Sequence, residues 1–137
     1  MLKSARTTLQ AAVVAVCTFC AGTAFAVEPT GLWYDHTGRG AVEITKCGDA
    51  VCGKVVWVAD TKNSQGCGLE ILGDVKPMGD GTYDEGWIYD PDKDAKFDVE
   101  LVPQGNKLKV VGYKGIKMFS QSFVWTRAPA DLARCPS

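Results

Sequence analysis

Residues 83–127 read YDEGWIYDPDKDAKFDVELVPQGNKLKVVGYKGIKMFSQSFVWTR. Apolar and polar residues alternate here in short runs, and Gly, Asp, Asn and Pro clusters separate the runs. Phe97, Val99 and Leu101 alternate with Asp98 and Glu100. Leu108, Val110 and Gly112 alternate with Lys107, Lys109 and Val111. Phe119, Gln121, Phe123, Trp125 and Arg127 share one side of a run from Met118. A period of two places one face of each run on a core and the other in water, which is the pattern of sequential antiparallel strands. Tyr83, Glu85, Trp87 and Tyr89 are expected on one face of the run before them.

Upstream, the same pattern continues less regularly. Gly31–Asp35, Ala41–Lys46, Lys54–Ala59 and Leu69–Leu72 are the expected strands, with loops over 60–68 and 73–81. No stretch repeats apolar residues at three-and-four spacing for three turns. About eight strands with short loops must bury one sheet face against itself or against a second sheet. The expected fold class is all-β, a small antiparallel up-and-down β-barrel of about eight strands, since closure also removes the pairing-prone edges. A sandwich is the alternative.

The first 26 residues read as a leader outside this fold. Lys3 and Arg6 precede an apolar stretch, Leu9 to Phe25, that ends in Ala24-Phe25-Ala26. That is the build of a secretory signal peptide. The expected division is 1–26 signal peptide and 27–137 a single β-barrel domain with no membrane span, periplasmic or secreted. From Val27 onward there are 13 Lys+Arg and 16 Asp+Glu, a net charge of −3, with no block of one sign. This composition offers no electrostatic footprint for nucleic acid.

Four cysteines follow the leader: Cys47, Cys52, Cys67 and Cys135. An even count in a small exported domain reads as two disulfides, and four cysteines allow three pairings. Cys47–Cys52 and Cys67–Cys135 are favoured. The first pair brackets Gly48-Asp49-Ala50-Val51, a tight-turn composition, and the second would pin the C-terminal tail. A zinc site, with His36 as a further ligand, is the rival, but the spacing is not that of a finger or ribbon.

Two resemblances follow from residues in order along the chain. Gly31-Leu32-Trp33 on the first strand, with Arg127 at the end of the last, resembles the lipocalin and calycin barrels. That resemblance implies that Trp33 closes one end of the barrel and Arg127 lies across its face. The second covers nearly the whole domain. Gly31-Leu32-Trp33, Cys47-Gly48, Cys52-Gly53, Val56-Trp57, Ile71-Leu72-Gly73, Gly86-Trp87-Ile88-Tyr89-Asp90-Pro91, Gly112-Tyr113-Lys114-Gly115 and Trp125-Thr126-Arg127 resemble the bacterial exported domain-of-unknown-function family DUF2147. It implies a lipocalin-like barrel and no particular activity. Its pattern includes Cys47 and Cys52 but not Cys67 and Cys135.

Catalytic constellations are poor, and the expectation is a non-enzymatic protein without cofactor or metal. His36 stands alone beside Asp35, and neighbours on a strand point to opposite faces, so they make no triad pair. Asp90-Pro91-Asp92-Lys93-Asp94 resembles the start of a calcium loop. Such a loop needs Gly at its sixth position and Glu at its twelfth, where Ala95 and Leu101 stand. The aromatic residues remain. Trp87, Tyr89, Tyr113 and Phe123 are the expected contacts for a small hydrophobic ligand near the barrel mouth, with Trp33 and Arg127 at the closed end. If aromatics instead fill the barrel, the alternative is a protein-interaction or inhibitor module of the cell envelope.

Overall fold

In the computed structural model, which describes residues 11–15 and 28–136, eight antiparallel strands close into one barrel in sequence order. They are β1 (Gly31–Tyr34), β2 (Gly40–Cys47), β3 (Ala50–Val58), β4 (Glu70–Pro77), β5 (Tyr83–Asp90), β6 (Ala95–Gln104), β7 (Lys107–Lys114) and β8 (Ile116–Arg127). The sandwich alternative is set aside, because β1 pairs with both β2 and β8. Apart from 11–15, the expected leader lies outside the described residues, as does Val27. No helix among the described residues is long and apolar enough to cross a membrane.

The period-two pattern does what it promised in β6 and β7. Val99 opposes Gly112, Leu101 opposes Val110, and Phe123 and Trp125 of β8 complete the same layer against Val110 and Leu108. The core cluster joins these to Trp33, Val42, Ile44, Leu72 and Val75. Trp33, Leu72, Val75, Val99, Leu101 and Leu108 have no water-accessible surface. A hollow wide enough for even one water would give its lining accessible area. The barrel is therefore solid at this depth.

Two strands depart from the expected pattern. Leu69–Leu72 was expected to be short, with a loop from Gly73; β4 instead runs on to Pro77. Asp74 takes φ 52°, a bulge conformation that composition reads as loop. In β5, Glu85 takes φ 65° and the register slips between Tyr83 and Gly86. The slip changes parity, so Tyr83 opposes the core residue Leu101 while Trp87 opposes Asp98 on the outer wall. The single face expected for Tyr83, Glu85, Trp87 and Tyr89 is thus split. Gly86 sits at the crossing with β4, where a Cβ would strike the Gly73 carbonyl and Val75 backbone.

Both favoured disulfides are formed. Cys47–Cys52 spans the β2–β3 hairpin, where Cys52 opposes Thr45 and lies diagonal to Cys47. Cys67–Cys135 ties the C-terminal arm to the loop before β4. Every sulfur of the four is bonded to another sulfur, so none is left as a thiolate for zinc. The arm lies over the outside of β1. It covers a second small cluster of Leu32, Val56 and Ala128, with Tyr34 and Leu132 packed against it. The Cys135 N–H donates to Val56 O at 2.6 Å, and Arg134 makes a two-pronged bond to Glu43.

Candidate functional site

Trp33 and Arg127 are cross-strand partners where β1 pairs with β8. Trp33 is fully buried and its indole N–H donates to Pro29 O at 2.8 Å. The Arg127 guanidinium lies 3.8 Å over the Trp33 ring. It also donates to Thr30 O at 2.8 Å and Glu28 O at 3.4 Å. Burial pulls the Arg127 pKa down. Gly31 (φ 122°) precedes the Trp by two positions because a Cβ there would meet Arg127 Nη1 at 2.5 Å. Trp33 and Arg127 thus stack on each other across the β1–β8 pairing, and the contacts they make are with their own chain.

The four residues expected to share a ligand do not converge. Trp87 lies on the outer wall over Gly73, where a Cβ would overlap the indole, and the Lys96 ammonium stands 4.1 Å above the ring. Tyr89 packs at the margin of the core and its hydroxyl donates to Asp94 at 2.7 Å. Tyr113 opposes Asp98, one step out of phase with the core pair Val99–Gly112, so it too is on the outer wall. Phe123 faces the core side, half-buried, with the His36 ring 4.3 Å away. The β5 bulge decides the position of Trp87. The alternation of β7 by itself sets Tyr113 opposite to Leu108 and Val110.

Around Tyr113 the outer wall holds a polar cluster that local patterns do not show. Asp84 is the one buried charged residue among those described. It accepts from the Tyr113 hydroxyl at 2.6 Å and from the Glu85 N–H at 2.8 Å, and pairs with the Lys117 ammonium. Lys117 also bonds Glu100 at 2.9 Å. These residues lie on β5, β6, β7 and β8, so only the barrel register unites them. Burial pushes the Asp84 carboxyl up, but the bonds from Lys117 and Tyr113 outweigh it and hold the group below its ordinary value. Tyr113 is pushed up to about 12, first by burial and then by its bond to Asp84. The bonds to Asp84 and Glu100 raise Lys117.

The signs give a stability profile. Asp84 has a folded-state pKa below its unfolded one. Its contribution is present above about pH 4 and is lost as pH falls through the lower folded value. Tyr113 is raised, so its contribution is present below about pH 10 and is lost as pH rises through about 12. Asp84→Asn should flatten the acid limb of a stability-against-pH curve and lower the midpoint of the Tyr113 titration, read by tyrosinate absorbance. An unchanged midpoint would show that Asp84 does not hold the phenol.

Two open grooves mark the outer surface. One, of about 470 Å³, is lined by Tyr34, Asp35, His36, Trp57, Val124 and Thr126 among others. Tyr34 and Trp57 meet edge to face there at 5.6 Å. The other, of about 480 Å³, lies between the C-terminal arm and β1, at Leu32, Glu43, Arg127 and Arg134. Sequence reasoning missed both, because each is made where β1 stops short or where the arm lies down. On β8, Ile116, Met118, Phe119 and Val124 are exposed.

Residues 31–127, from β1 to the end of β8, match the family described as uncharacterized protein conserved in bacteria, DUF2147. The chain belongs to this family. No curated protein matches it. A solved structure that matches is protein HP1028 from Helicobacter pylori, described as belonging to the lipocalin family. It is 16% identical, with 75% of this chain and 84% of that chain covered and a TM-score of 0.63. At that identity the likeness shows the fold: this DUF2147 domain is a lipocalin-like barrel. Its two disulfides are compatible with an oxidising compartment.

Proposed function

We propose that this domain is an exported, non-enzymatic interaction module of the cell envelope that works through the outside of its barrel. The observation that carries this reading is where the apolar side chains of β8 lie. Toward its C-terminal end, Trp125 is buried in a solid core. Toward its N-terminal end, Met118 and Phe119 are 79% and 82% exposed. The layer around Leu72, Val99 and Leu101 is filled, so a small hydrophobic ligand would have to bind outside that layer. With Ile116 and Val124, Met118 and Phe119 make four large apolar residues exposed within one strand, the candidate contact for another molecule. The periplasm is the compartment that fits a leader and two disulfides.

A photo-crosslinking amino acid placed at Phe119, in cells that export the protein, should give a discrete protein adduct. The same group at Lys62, in the loop after β3, should not. No adduct at 119 from correctly folded protein would sink the reading.

A second reading is favoured by one observation, the edge-to-face Tyr34–Trp57 pair beside the outer groove. There a small apolar or aromatic ligand would bind on the outer wall instead of inside. An environment-sensitive apolar dye should then quench tryptophan fluorescence, and Trp57→Ala should weaken its binding by about 1–3 kcal/mol. Absence of binding below millimolar dye removes this reading and leaves the first untouched.

A further inference from the structure

We propose that the outer groove beside Tyr34 and Trp57 binds a small organic cation, an ammonium nitrogen that carries apolar substituents. The proposal rests on the outer-groove reading and names the chemical class of its ligand.

The strand pairing builds the aromatic side of the groove. Thr126 of β8 opposes Tyr34 of β1, Tyr34 opposes Ala41 of β2, and Ala41 opposes Trp57 of β3. These four form one row across the outer wall. Trp57 reaches that wall through a bulge. Val42 opposes Val55 and Ala41 opposes Trp57, so Val56 is an extra residue between the two pairs. Under strict alternation Trp57 would share the face of Val55, which packs against the core. The extra residue turns Trp57 outward, since a bulge re-aims the side chain beside it. Ala41, between the two rings, has no water-accessible surface, and its small side chain lets them lean together. Tyr34 and Trp57 meet at 5.6 Å with their planes 72° apart. A pair at that angle forms a corner. One face of the pointing ring and the uncovered part of the other ring's face both look into it. Ring faces carry the negative side of the aromatic quadrupole, so such a corner attracts a cation.

The polar side of the groove carries the matching charge. Asp35, His36 and Thr37 line it, and no lysine or arginine does among the described residues. Asp35 Oδ1 is taken up by the turn: it accepts from the Thr37 N–H at 2.9 Å and from the Thr37 hydroxyl at 2.6 Å. Asp35 Oδ2 takes part in no hydrogen bond or ion pair among the described residues. It lies beside Gly40, where a Cβ would come 3.2 Å from it and 3.7 Å from Trp57 O. The unused carboxylate oxygen therefore flanks the strand that carries Trp57.

These features choose among ligand classes. An anion would meet Asp35 with its own sign. A neutral apolar ligand would gain from the rings, but it would strip water from Asp35 Oδ2 and give that oxygen no partner, which is a cost. An ammonium nitrogen with apolar substituents suits both sides. Its charge lies against the ring faces and the carboxylate, and its substituents cover apolar surface. The groove, of about 470 Å³, has room for such a group.

Two probes of one shape test this. Choline carries a trimethylammonium group, and the alcohol in which a tert-butyl group replaces it carries no charge. Each is titrated calorimetrically into protein with both disulfides formed. Choline should bind at least about tenfold more tightly than the alcohol. Asp35→Asn still accepts from Thr37, and Trp57→Leu keeps bulk without a ring face. Each should weaken choline binding at least about tenfold and change the alcohol little, with circular dichroism and Tm unchanged. A headgroup and a free solute share this chemistry, and vesicles separate them. Flotation with phosphatidylcholine vesicles, reversed by choline, would identify a lipid headgroup; choline binding without flotation would identify a soluble cation. Equal binding of choline and the alcohol overturns the proposal and leaves the groove reading standing. Choline binding that neither variant weakens places the cation elsewhere and overturns it too. If neither probe binds below about 10 mM, the proposal falls, and the apolar dye then decides the groove reading by itself.

Discussion

Trp33→Ala is expected to lower the unfolding free energy by about 3–5 kcal/mol, the range for removing a large buried aromatic. Three losses combine at this position. The ring has no water-accessible surface, so its removal leaves a cavity where β1 meets β8. Pro29 O loses its donor at 2.8 Å. The Arg127 guanidinium, which lay 3.8 Å over the ring, is left facing that cavity with only its bonds to Thr30 O and Glu28 O. Trp33→Phe separates these causes. It keeps an aromatic face for Arg127 but drops the indole donor, so about 1–3 kcal/mol should go, the cost of an unsatisfied buried acceptor. Urea unfolding, followed by circular dichroism, reads both. A loss under about 1 kcal/mol for the alanine variant would mean that the β1–β8 seam can collapse around the missing ring.

The second large effect is expected at the C-terminal arm. Cys67 and Cys135 are separated by 68 residues, and Cys47 and Cys52 by 5. On the chain-entropy estimate the long loop contributes about 4 kcal/mol and the short one about 2. Cys67→Ser with Cys135→Ser should therefore destabilise about twice as much as Cys47→Ser with Cys52→Ser. Loss of the long staple has a further consequence. The arm is otherwise held by the Cys135 N–H on Val56 O and by Arg134 on Glu43, which is a surface pair. When it lifts, Leu32 and Val56 on the outer wall face water. Hydrogen exchange at Leu32 and Val56 should accelerate in that variant only. Equal losses from the two double variants would refute the loop-length argument.

Several features of this domain were legible without coordinates, and the reasons are local. Strict alternation in Phe97–Leu101 and Leu108–Gly112 suffices to set their inward faces, since β6 and β7 pair without a slip. The Cys47–Cys52 staple follows from a turn composition between the two residues. A contact between Trp33 and Arg127 is expected from the resemblance to lipocalin barrels, and Gly31 leaves the guanidinium room to lie over the ring.

The amino-acid sequence by itself determined an all-β domain of about eight strands, and it favoured Cys47–Cys52 with Cys67–Cys135 among three possible pairings. The strands depend on neighbours in the chain, and the reading of two disulfides on a count. Only the tertiary structure decided the rest. The bulges at Asp74 and Glu85 put non-glycine residues at positive φ, which the local sequence pattern does not announce. They send Trp87 outward and disperse the expected ligand set. Asp84 and Lys117 are 33 residues apart, and only the barrel register brings them together. The filled layer around Leu72, Val99 and Leu101 depends on how side chains from several strands share one volume. β1 pairs with only Arg127 and Thr126 of β8, because a strand of four residues meets one of twelve, a mismatch that appears only when the two lie side by side.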